Sequence, residues 1–191
     1  MIIDGQLLFT GTSNGASGGV TASAYADTVA QVVATYICSN IIDLGVTSGI
    51  PASSAGGGAR DIGIGDNPML KLLAQITTAL TSGGAATLQV ELDGAVDNGS
   101  GAPSGTWTVM WQSQAIGYAS LTAGTYMANV DIPRPAPGEA APRFLRMRFI
   151  VAGATITAGA MEAAVVLDRF DAIGQQTGYL SGYPAGINIA N

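Results

Sequence analysis

Four aspartates stand in pairs that could do acid–base chemistry or hold a cation: Asp61 and Asp66 on either side of Ile-Gly-Ile-Gly, and Asp93 and Asp97 on either side of Gly-Ala-Val. Two carboxylates facing each other across a bond are the machinery of glycoside hydrolysis, and oxygen donors at alternate positions build a Ca2+ loop. Neither segment has that alternation. Turns enrich aspartate in any case, because its side chain bonds the backbone two residues on, so Asp43 and Asp61 read as turn or strand-end residues. The chain has no histidine, which removes the commonest general base and the commonest transition-metal ligand. A Ser–Lys dyad would need the single lysine, Lys71, which sits in an apolar strand-like run and reads as a surface or edge residue. Gly63-Ile64-Gly65 is followed by Pro68 where a phosphate-binding loop needs its third glycine, and no Gly-Lys-Ser/Thr occurs. The expectation is a protein that is not an enzyme, with no cofactor and no metal.

The remaining reactive types have quiet explanations. Cys38 is alone, so no internal disulfide forms, and its apolar setting reads as a buried small hydrophobe. Trp107 and Trp111 could stack on sugar rings, but in the alternating run Thr-Trp-Thr-Val-Met-Trp they share one face with Val109 and read as core.

The elements that carry these residues are strands. Leu88, Val90 and Leu92 alternate with Gln89, Glu91 and Asp93; Leu145, Met147, Phe149 and Val151 alternate with Phe144, Arg146, Arg148 and Ile150. That is the period of half-buried strands. "MLKLLAQITTAL" is a further apolar strand-like run, "LTAGTYMANVDIPRP" is extended and stopped by Pro133 and Pro135, and "EAAVVLD" has the continuous apolar character of a central strand. Residues 11–36 read as a low-complexity loop holding at most a short strand or helix; a helix over 24–36 is opposed by β-branched Thr28, Val29, Val32, Val33 and Thr35. Residues 46–58 read as a second long Gly/Ser/Ala loop. Strands punctuated by Gly, Pro and Asn predict an all-β, jelly-roll-like antiparallel β-sandwich over 1–170, with 171–191 as an extended C-terminal arm.

Charged residues are only 10% of the 191-residue chain against 48% hydrophobic, with 27 glycines and a net charge of −6. This leaves no basic stripe for nucleic acid. No apolar run reaches membrane-spanning length, and the start "MIIDGQLLF" lacks the features of a secretory signal, so the expected place of synthesis is a cytosol, with no membrane association. A largely neutral surface suits a component that is covered by partners.

The order "MIIDGQLLF", "SNIIDLG", "ARDIGIGD", "GGAATLQVELDGA", "LTAGTYMANVDIP" and "RFLRMRFIVAGATITAGAMEAAVVLD" followed by a Gly/Tyr tail resembles the capsid cement proteins of tailed bacteriophages of the Bordetella phage type. The resemblance covers most of residues 1–10 and 37–185, and the pair "NIIDLG" and "ARDIGIGD" leading into "AATLQVELDGA" carries it best. It departs in the small-residue segments at 11–36 and 46–58. It implies a jelly roll on the outer surface of a phage head, made in the bacterial cytoplasm, bridging major capsid protein subunits and associating with itself as a dimer or trimer. Candidate contact residues are Arg60 and Asp61, which could instead pair locally, Arg146 and Arg148 on one strand face, and Tyr179, Leu180 and Tyr183 in the tail. The alternatives are a carbohydrate-binding β-sandwich using Trp107 or the tail tyrosines, and an enzyme using paired carboxylates.

Overall fold

In the computed structural model, residues 3–12, 25–45, 70–133 and 137–167 are described. The order along the chain is β1 (Ile3–Leu8), β2 (Asp27–Thr28), β3 (Ala34–Asp43), β4 (Leu70–Ser82), β5 (Thr87–Ala95), β6 (Thr108–Gln112), β7 (Ile116–Gly117), a single 3-10 turn at Tyr118–Ser120, β8 (Tyr126–Asp131), β9 (Phe144–Ala152) and β10 (Ile156–Leu167).

Two five-stranded antiparallel sheets result, one ordered β1-β10-β4-β8 with β2 beside β10, the other β3-β9-β5-β6 with β7 beside β5. Leaving out the two-residue strands and numbering the eight main strands in chain order, the sheets read 1-8-3-6 and 2-7-4-5, the double Greek key of a jelly roll. The expected fold class stands. The expected arm at 171–191 and the loop at 46–58 lie outside the described residues.

The core is built by the alternation the strands advertise. Leu88, Leu92, Leu145, Met147 and Phe149 of one sheet meet Leu72, Ile76, Met161 and Val165 of the other, all fully or almost fully buried. Tyr36 stacks on Phe149 with ring centroids 5.2 Å apart. Phe9 joins the sheets at one seam: its N–H donates to the Ala163 carbonyl and its carbonyl accepts from the Asn40 N–H, both at 2.8 Å.

Two readings change. β10 begins at Ile156, well before "EAAVVLD", because Gly159 sits at φ +142 in an irregular register and lets the strand continue against β4. The reading of residues 25–36 holds: they contain β2 and the start of β3 and no helix. The tryptophans do not share a face: β6 carries an extra residue between Trp111, opposite Leu92, and Val109, opposite Asp93. That bulge turns Trp111 inward onto the core and leaves Trp107 and Val109 on the outer side. Lys71 lies in β4, an internal strand, and its ammonium bonds Asp131 across to β8 at 2.5 Å. Cys38 is buried, as expected.

Candidate functional site

The outer face of the β3-β9-β5-β6 sheet carries a cluster of four charged side chains. β5 and β9 place Glu91 directly opposite Arg148 and Asp93 opposite Arg146. Opposed residues on an antiparallel pair share a face, so the four side chains form a ladder. Arg146 Nε donates to Asp93 Oδ2 at 2.9 Å, and Arg148 Nη2 donates to Glu91 Oε2 at 2.6 Å. Arg148 Nε lies 2.7 Å from Asp93 Oδ2 as a charge contact, without an aligned hydrogen bond. Asp93 is 0% exposed. The indole of Trp107 lies under the Arg146 guanidinium, 4.1 Å from its centroid, and screens it from water. Two positive and two negative groups cancel. A one-residue slip of β5 against β9 would carry them to the core side, so the ladder also fixes register.

Around the ladder the face is apolar. Ile37 and Ile41 stand opposite Arg148 and Arg146 on β3, and Val109 stands opposite Asp93 on β6. They are 38%, 36% and 46% exposed.

At one end of this sheet Arg143 ties three segments. Its Nε and Nη2 donate to the two oxygens of Asp43 at 2.8 and 2.9 Å, and Nη1 pairs with Asp97. Asp97 Oδ1 also accepts the Gly99 and Gly101 N–H groups at 2.7 and 3.0 Å, closing the turn. The Gly101 and Gly99 N–H groups together with Arg143 hold Asp97 below the usual carboxylate range. Burial pushes Asp43 up, but the Arg143 bonds and the Gly45 N–H outweigh it and its pKa is lowered. Thus Asp93 and Asp97, paired by sequence, are taken up by different arginines.

A second polar knot lies inside the sandwich. The Asp27 carboxylate is fully buried and accepts the Gly11 N–H at 2.8 Å, the Ser39 N–H at 2.6 Å and the Ser39 hydroxyl at 2.5 Å. Asn40 Nδ2 donates to the carbonyls of Thr10 and Gly11 at 3.1 and 3.0 Å. The Thr10 hydroxyl donates to the Tyr25 carbonyl and accepts the Ala163 N–H. Burial raises the Asp27 pKa despite these donors, and burial with the nearby Asp27 charge drives the Cys38 thiol well up. A thiol so placed is a poor nucleophile.

Of the sequence-derived contact residues, Arg146 and Arg148 come together on the outer face, already paired within the chain. Arg60, Asp61, Tyr179, Leu180 and Tyr183 lie outside the described residues, as does Asp66. Sequence reasoning missed Arg143, whose only signal was its place just before the β9 alternation, and Asp27, which stands in a low-complexity stretch with no signal. Among the described residues no group of three or more His, Cys, Asp or Glu is placed to hold a metal ion, and no helix is long and apolar enough to cross a membrane.

No curated protein matches the chain. A family model described as Bbp16 matches residues 19–165, from ahead of β2 to within β10. This match spans well over half of the 191 residues, and the chain therefore belongs to the Bbp16 family, a Bordetella phage protein family.

Proposed function

We propose that this protein is a structural cement, or decoration, protein of a tailed-phage head: it binds the outer surface and bridges major capsid protein subunits, stabilising the expanded shell. The observation that carries this reading is the outer face of β3-β9-β5-β6, where the ladder charges are spent on one another and Ile37, Ile41 and Val109 are left exposed on either side of them. A charge-neutral, partly apolar sheet face loses little on desolvation and gains apolar area when covered. Membership in a phage protein family supports the setting.

The mechanism is additive area. Each copy adds non-covalent contact across a seam between subunits, self-associated copies hold more than one subunit at once, and many copies on one lattice act through avidity. Outward pressure from packaged DNA must then break many contacts together. A sugar-binding role is less well served, because Trp111 packs on the core and one face of Trp107 is taken by Arg146.

The test is cosedimentation of purified protein with expanded empty heads and with unexpanded heads. Saturable binding to expanded heads, with a raised temperature of shell disruption, is expected. Binding to neither form would end the cement reading. Light scattering of the free protein reads the self-association, with a dimer or trimer expected.

A further inference from the structure

A hollow of about 190 Å3 opens where β5 meets β6, lined by Gly94, Val96, Thr108, Met110, Pro142 and Glu139 among others. Gly94 shapes it. A Cβ at that position would lie 2.7 Å from Met110 Sδ and 2.8 Å from Pro142 Cβ, so the thioether and the proline ring close over bare backbone. The volume is below the range of small-molecule sites and suits one long side chain. Its lining pairs apolar surface from Met110, Val96 and Pro142 with an exposed carboxylate, Glu139.

The charge census decides what that side chain is. All four described cations, Lys71, Arg143, Arg146 and Arg148, already carry carboxylate partners. Glu139 has no hydrogen bond or ion pair with any described residue, and among the described residues the hollow presents a carboxylate beside an apolar wall. An aliphatic stem ending in a cation satisfies both at once, and the planar guanidinium fork matches a carboxylate better than an ammonium does.

We propose that the hollow between β5, β6 and residues 139–142 seats an arginine side chain of the protein it decorates, with the stem against Met110 and Pro142 and the guanidinium on Glu139. The naming of the shell as the donor rests on the cement reading; the chemistry of the hollow does not.

Two measurements test it. In the first, the Met110 methyl is isotope-labelled in the full chain and titrated with n-butylguanidinium, n-butylammonium and neutral n-butylurea. Saturable shifts with the guanidinium, weaker ones with the ammonium, and loss of the guanidinium response in Glu139→Gln are expected. No shift, equal binding of the urea, or tighter binding of the ammonium would overturn the proposal. In the second, Glu139→Gln and wild type are compared on expanded heads, where about a tenfold loss of affinity and a weaker salt dependence are expected. If wild type binds heads and the variant binds equally, the arginine seat is wrong while the cement role stands. If wild type binds no heads, the cement role fails and the methyl titration alone decides whether the hollow takes a guanidinium.

Discussion

Two knots hold β3 to its neighbours, and they are built on opposite principles. At the irregular middle of the strand, Asp27 holds Ser39 inside the sandwich using neutral donors only. At its end, Asp43 is held by Arg143 near the surface, a pairing of full charges that also recruits Asp97. Burial makes the difference. A hydrogen bond inside is costly to lose because its partners have no water to turn to, whereas an ion pair in contact with water is screened and replaceable. One strand is thus anchored by geometry at its centre and by charge at its end.

The largest expected effect comes from breaking the inner knot. Asp27→Ala leaves the buried Gly11 and Ser39 N–H groups without their acceptor, and a loss of about 3 kcal/mol in unfolding free energy by urea titration follows from the cost of orphaned buried donors. A loss under about 0.5 kcal/mol would show that those donors find other partners and that the knot is incidental. Asp27→Asn, which keeps an acceptor oxygen, should lose less.

The next effect is a contrast of sign with pH. Asp27 has a folded-state pKa above the ordinary 3.8, so it favours the folded chain at pH below 3.8 and that contribution is lost as pH rises through its folded value. Glu162, also raised by burial, acts in the same direction. Asp43 and Asp97 are lowered, so their contribution is present above 3.8 and is lost as pH falls through their folded values. Stability profiles from pH 2 to 8 should therefore diverge: Asp27→Asn flattens the fall that begins above pH 3.8, and Arg143→Met flattens the loss in acid below it. Identical profiles for the two variants would erase the contrast between the knots.

Salt gives a smaller effect. Arg143→Met should destabilise less than Asp27→Ala, and its deficit should shrink in about 1 M NaCl, where surface charge is screened within a few ångströms. The Asp27→Ala deficit should not shrink. Smallest of all is the reactivity of Cys38, which should be near zero towards a thiol reagent in the native protein and rise measurably in Asp27→Ala as that part of the sandwich opens.

Much of the fold could be read from particular residues. The alternation in β5 and β9 assigned inward and outward faces correctly, and Pro133 lies just beyond the end of β8. β6 could not be read that way, because a bulge is set by which residue it must oppose on β5, and local sequence does not contain that choice. The outer ladder was half legible. Arg146 and Arg148 stood out, but their partners Glu91 and Asp93 are more than fifty positions away and meet them only through the β5–β9 register.

By itself the amino-acid sequence determined the class of the molecule: small and β-branched residues with period-two alternation and frequent turn formers bury a core as stacked sheets. Tertiary structure alone decided where the few charges went. With charge at 10% of residues, each ionisable group depends on long-range register for its partner, and that register is fixed by the packing of whole sheets. Whether an aspartate in this chain is a solvated turn residue, a rung of a ladder or the centre of a buried knot is settled by what the fold brings opposite it.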